Sequence, residues 1–175
     1  MTRKRSDDLR GGAAGQVVSQ ASPAKKKVLI VFGTRPEAIK LAPLLARFKR
    51  AGSLYAVRVC VTAQHRQMLD QVLSVFGIVP DHDLDVMAPN QTLFDVTARM
   101  LLGLQAVIAA EQPDVVVVQG DTTTAFVAGL AAFYRKVPVA HVEAGLRTYQ
   151  KYEPFRDGKN RQTAPALADS HSSPT

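Results

Sequence analysis

Five short apolar runs alternate with segments of helical periodicity along this chain. The runs fall at residues 27–32, 54–62, 83–86, 115–118 and 137–142. Their lengths, and the breaks at Gly33, Gly52, Gly77 and Gly120, fit strands buried on both faces. Residues 36–50 predict a first helix with Ile39, Leu41, Leu44, Leu45 and Phe48 on its apolar side. Pro36 suits the first turn, whereas Pro43 is expected to kink or divide the helix. Residues 67–76 predict a second helix, with Met68, Leu69, Val72, Leu73 and Phe76 inward. A third runs from Asn90 or Gln91 to about Glu111, through Leu93, Val96, Met100, Leu101, Leu104, Val107 and Ile108. A fourth, 122–134, carries Ala125, Ala128, Gly129, Ala131 and Ala132, small enough to lie close against a sheet. A last helix is expected over 160–169. The alternation predicts an α/β fold, a Rossmann-like doubly wound parallel sheet with right-handed crossovers.

Charge changes this picture little. The chain of 175 residues has a formal net charge of +7. Arg3, Lys4, Arg5, Arg10, Lys25, Lys26 and Lys27, against Asp7 and Asp8, place +5 of it in the first 27 residues. Residues 1–26 lack usable periodicity and read as a disordered basic tail, and 27–175 as one domain. With the charge in the tail and no aromatic–basic platform, a nucleic-acid partner is not expected. No uninterrupted apolar run approaches the ~18 residues of a membrane span, and the start lacks the hydrophobic region of a secretory signal. The reading is of a cytoplasmic protein with no membrane partner. Cys60 is the single cysteine and lies in an apolar run, so it reads as a buried thiol.

The candidate chemistry gathers at the carboxyl ends of the predicted strands, where open α/β sheets hold their ligands. Arg35 follows the first strand, and Lys40 lies five residues on; together they could face an anion. Asp121 follows the run Val115–Val116–Val117–Val118, and Glu143 follows the last run. Asp121 could equally cap the helix after it, a task Thr122, Thr123 and Thr124 could share. Glu143, before Ala144 and Gly145, should be pinned in a tight turn, and its charge calls for a ligand or a partner such as Arg147. Asp157 is a third carboxylate that could enter the same crevice. Carboxylates sharing a partly dry site can divide acid and base roles. His65 and His141 invite base or metal roles, but His141 is expected to face away from Glu143 as a satisfied buried histidine. No histidine spacing suits a metal. GTRPEAIK has neither P-loop nor Gly-x-Gly-x-x-Gly spacing, so no nucleotide cofactor is expected.

Taken together the motifs resemble the non-hydrolysing UDP-N-acetylglucosamine 2-epimerases. The segments are VLIVFGTRPEAIKLAPL (28–44), VTAQHRQMLDQVL (61–73), NQTLFDVTARML (90–101), VQGDTTTAFVAGLAAFY (118–134) and VAHVEAGLRT (139–148), continued by NRQ, ALAD and SPT to residue 175. The resemblance implies the N-terminal half of a two-domain glycosyltransferase B-type fold, with a UDP-sugar in the cleft between the halves. It implies interconversion of UDP-GlcNAc and UDP-ManNAc by elimination and re-addition of UDP, without cofactor or metal, in full-length homodimers. By motif position it implies catalytic roles for Asp121, Glu143, Asp157, Arg35 and Lys40. Substrate contacts are implied for Arg35, Lys40, Gln64, His65 and Arg147. Where the family shows Pro-Glu-Glu, this chain has Arg156-Asp157-Gly158, one methylene shorter at the catalytic position. The C-terminal domain is expected to be absent, leaving a fragment inactive alone. The alternatives are a degenerate non-catalytic remnant or binding module, to which the polar stretch Asp169–Ser170–His171–Ser172 points, and a fragment of a hydrolysing relative.

Overall fold

The computed structural model describes residues 24–63, 66–143 and 157–172. Of the expected basic tail, residues 1–23 lie outside them, whereas Lys26 already belongs to the first strand. Six parallel strands form one sheet: β1 Lys26–Phe32, β2 Tyr55–Val61, β3 His82–Asp83, β4 Val115–Gln119, β5 Val139–Val142 and β6 Ser170–Ser172. Their order is β3-β2-β1-β4-β5-β6. The helices are α1 Arg35–Arg50, α2 Arg66–Val75, α3 Leu93–Glu111, α4 Thr123–Tyr134 and α5 Asp157–Ala166.

The central strand explains the layers. Along β1, Val28, Ile30 and Phe32 pack on the face covered by Ala38, Leu41 and Leu45 of α1 and by Leu69 and Leu73 of α2. Leu29 and Val31 pack on the other face, against Met100 and Leu104 of α3 and Ala125, Ala128 and Ala132 of α4. A strand buried on both faces must read as an unbroken apolar run, as KVLIVF does. The small side chains Ala125, Ala128, Ala131 and Ala132 of α4 pack in one cluster with Val116 and Val118 of β4, while Gly129 faces Leu167, 3.7 Å from where its Cβ would be. Helix α3 is the one described helix long and apolar enough to cross a bilayer, although Asp95 and Arg99 interrupt its apolar run. Here Val96, Met100, Leu104, Val107 and Ile108 seat it on the sheet.

Three expectations are corrected. Helix α1 runs through Pro43 undivided, because Pro43 lies on the exposed side, where water can reach the carbonyl its ring leaves without a donor. Ile39, expected inward, is 44% exposed, and Ala38 and Ala42 take the sheet-facing positions. The polar end of the chain is an edge strand: Ser170, His171 and Ser172 pair with Ala140, His141 and Val142. An edge strand with one wet side needs no apolar run.

One device recurs at the amino edge of the sheet. Asp81, Asp114 and Asp169 each precede a strand and clasp the strand beside it. Asp114 Oδ2 accepts the Lys27 N–H at 2.7 Å, and its own N–H donates to the Lys27 carbonyl at 2.9 Å. Asp81 does the same with Val59, at 2.8 Å both ways. Asp169 does so with Val139, at 2.8 and 2.9 Å. The bonds donated by the Lys27 N–H and the Lys26 ammonium hold the Asp114 carboxyl below the ordinary aspartate range.

Candidate active site

The strand order reverses direction between β1 and β4, and the crevice at such a switch point is where open α/β sheets bind ligands. A pocket opens there, lined by Thr34, Lys40, Gln119, Asp121, His141 and Glu143, with Pro36, Glu37, Gly120 and Thr122 between them. Two helix N-termini face it, those of α1 and α4, whose unpaired N–H groups and dipoles favour an anion.

The floor is built around Glu37, a residue the sequence reading passed over. Its side chain is 1% exposed. Oε2 accepts from the Gly33 N–H at 3.0 Å, the Thr34 N–H at 2.8 Å and the Thr34 hydroxyl at 2.8 Å. Oε1 accepts from the Thr122 hydroxyl at 2.6 Å. Burial pushes the Glu37 carboxyl above its ordinary range, against the pull of these donors, Thr122 foremost. One carboxylate thus ties the loop after β1 to the loop after β4. The signal was present as a Ser/Thr-x-x-Glu capping pattern, Thr34 to Glu37.

Thr122 supplies the N-cap of α4: its hydroxyl accepts from the Ala125 N–H at 3.0 Å. The capping role open to Asp121 is therefore filled by its neighbour, and Asp121 stands at the crevice wall. Glu143 lines the same pocket, at φ 60°, a backbone region that a non-glycine residue occupies at a cost and that clusters at functional sites. Its Oε2 accepts from the Lys40 ammonium and from the Gln119 side-chain amide. Gln119 is the second residue missed. Nothing local marks it, because only the register of β4 against β5, Gln119 beside Val142, brings it to Glu143.

His141 does not face away from Glu143 as expected; both line the pocket, as residues two apart along a strand share a face. The structure brings Lys40, Asp121 and Glu143 together. Arg35 it places apart, exposed at the start of α1, on a neighbouring apolar groove with Ile39, Val72, Val75 and Phe76 that Lys40 also borders. Gln64, His65 and Arg147 lie outside the described residues, and so does the side chain of Asp157, whose backbone opens α5. Among the described residues no three of His, Cys, Asp and Glu come together in a way that could hold a metal ion.

His141 is 2% exposed. Burial lowers its pKa from 6.5, outweighing the bond to the Gly120 carbonyl; of its charged neighbours His171 adds to the lowering and Asp121 opposes it. Below pH 6.5 the unfolded chain therefore takes up this proton before the folded one does. The His141 contribution to stability is complete above that pH and falls as pH drops toward the folded-state value. Chemical unfolding of the wild type and of His141→Phe across pH 7.5 to 5 checks this: the difference between their stabilities should change below about pH 6.5 and be flat above it.

A family model described as UDP-N-acetylglucosamine 2-epimerase matches residues 48–175. The UDP-N-acetylglucosamine 2-epimerase of Escherichia coli K12 is 55% identical over 149 residues, 85% of this chain and 39% of that protein. That of Campylobacter jejuni is 54% identical over 150 residues, 86% of this chain and 39% of the other. A crystal structure of the Neisseria meningitidis UDP-GlcNAc 2-epimerase bound to UDP-GlcNAc superposes with a TM-score of 0.80 at 52% identity, over 85% of this chain and 40% of that one. The chain spans about two-fifths of the length of the relatives it matches.

Proposed function

The chain belongs to the UDP-N-acetylglucosamine 2-epimerase family, and on that premise we propose that its crevice is the half-site at which UDP-GlcNAc and UDP-ManNAc interconvert. One observation carries this reading: Asp121 and Glu143 face a single pocket at the switch point, with Lys40 on Glu143 and two helix N-termini alongside.

The chemistry asks for those parts. A carboxylate takes the proton from C2 while the C1–O bond to UDP breaks, and UDP leaves with that electron pair to give the 2-acetamidoglucal. Proton return to the opposite face of C2, with UDP adding back at C1, inverts the C2 configuration. Two carboxylates lining one pocket suit removal and return of the proton. Lys40 and the N-terminus of α1 supply positive potential for the negative charge that develops. Arg35, at the first residue of α1, is proposed to reach the diphosphate from the rim, and Gln64, His65, Arg147 and Asp157 to complete the site. The family's glycosyltransferase B-type architecture places the remaining nucleotide contacts on a second domain, so activity is proposed for the two halves together rather than for these residues alone. Self-association of the full-length assembly is supported by exposed Phe94 and Leu102 on α3, and light scattering on it would show a monomer if that is wrong.

The test is exchange in deuterated water. The chain is incubated with UDP-GlcNAc, alone and mixed with the C-terminal part of a full-length relative, and deuterium at C2 is read by mass spectrometry. Exchange in the mixture is expected, and Asp121→Asn should abolish it. Lys40→Met should slow it on the order of 100-fold, the scale of losing one electrostatic stabiliser. No exchange in either form, with no UDP binding by calorimetry, would sink the proposal.

A further inference from the structure

We propose that His141 is a positioning residue: it sets the carbonyl of Gly120 and through it aims Asp121 into the crevice. The inference rests on the functional reading above for the importance of Asp121, but not for its geometry.

Gly120 carries the chain out of β4. It sits at φ 72°, and a Cβ there would meet nothing within 4 Å, so its requirement for glycine is conformational rather than one of space. Both of its backbone polar groups are held by consecutive residues of β5. The Gly120 N–H donates to the Val142 carbonyl at 3.1 Å. The Gly120 carbonyl lies 2.6 Å from His141 Nε2. A carbonyl oxygen only accepts, so Nε2 carries the proton. In the neutral ring Nδ1 is then bare, and it is buried without a hydrogen-bond partner among the described residues.

That orphan atom separates a positioning role from a packing role. A buried acceptor without a donor is a standing cost, and buried polar atoms in native proteins are nearly always paired. An apolar side chain would fill the same space without it. What the imidazole supplies in exchange is one directed bond to one carbonyl. The residue after that carbonyl is Asp121, and the next, Thr122, is fixed from the other side by Glu37 and the Ala125 N–H. Asp121 thus sits between two anchored peptides, and His141 is one of the anchors. Its neutrality leaves the charge balance of the crevice to Lys40.

Nuclear magnetic resonance on the 175-residue chain tests this without substrate. In the wild type, a long-range nitrogen spectrum should show His141 Nε2 protonated and Nδ1 bare; the opposite tautomer would overturn the proposal, and this arm needs no variant to fold. In His141→Phe the Gly120 carbonyl-carbon and Asp121 amide resonances should move to positions typical of an unbonded carbonyl. In His141→Gln, whose amide N–H reaches about as far as Nε2, they should return most of the way. Unmoved resonances in the phenylalanine variant, or failure of glutamine to restore them, would mean that His141 merely packs. The exchange assay adds a separate readout: His141→Phe should lower kcat with KM little changed, and His141→Gln should recover most of it. Absence of exchange in the wild type would count against the epimerase reading alone, because the resonance positions decide the positioning role by themselves.

Discussion

Gly33→Ala is expected to cost more than ~3 kcal/mol of folding stability, above the usual penalty for overpacking, and to leave little folded protein at 37 °C. A Cβ at this position would stand 2.0 Å from Thr62 Oγ1 and 2.5 Å from Thr124 Oγ1. Both hydroxyls are fully buried and bonded to each other at 2.8 Å across the glycine. Neither can swing into water, and moving either one breaks their bond inside the core. The glycine is needed here for space, since three parts of the fold meet over it: the end of β1, the end of β2 and the first turn of α4. Urea unfolding measures the loss. Adding Thr62→Ala and Thr124→Ala to Gly33→Ala removes both clashing oxygens and should recover part of it, the Thr62 Cβ being a tolerable 3.4 Å away. A Gly33→Ala protein as stable as the wild type would show that the three elements do not converge this closely.

Glu37→Leu is expected to cost roughly 3–5 kcal/mol, because it leaves several buried donors unpaired at ~1–3 kcal/mol each. The substitution keeps the volume and strips the acceptor from four donors: two backbone N–H groups and the hydroxyls of Thr34 and Thr122. Glu37→Gln should cost less, about 1–2 kcal/mol, because one oxygen remains and the Thr122 hydroxyl can turn to accept from the new amide. Thermal unfolding of the two variants should rank them in that order. Equal losses would mean that the cavity shape, and not the acceptor, is what Glu37 provides. Since Glu37 joins the two loops on either side of the switch point, Glu37→Leu should also weaken the proposed UDP binding in any fraction that stays folded.

These two residues mark how far the sequence could be read. The α/β architecture was legible because a doubly buried sheet requires runs such as KVLIVF and VVVV, and the helices between them carry a 3.6 period. Most element ends agree within one to three residues. Asp121, Glu143 and Lys40 were legible because strand ends in such a sheet point at one crevice. Arg35 follows β1, but as the first residue of α1 it lies on the groove toward α2, beside the pocket. His141 was misread against the alternation itself, which puts residues two apart, such as His141 and Glu143, on one face. Thr62, Thr124 and Gln119 were not legible at all. Each acts through a neighbour far away in the chain, and only the parallel register brings them together.

The aspartates at the amino edge bear on a different problem. Hairpins fix their own alignment through the turn, but parallel strands arrive from distant parts of the chain with nothing local to align them. A slip of one residue in β4 would turn Val116 and Val118 from the α3 side to the α1 side. Asp114, Asp81 and Asp169 act as alignment marks, each admitting its strand to the sheet only when its carboxylate and N–H meet Lys27, Val59 or Val139. Alignment is thus secured at one rim of the sheet and catalysis is proposed for the other. The rim that carries the pocket is then free to change its side chains without the strands losing their place.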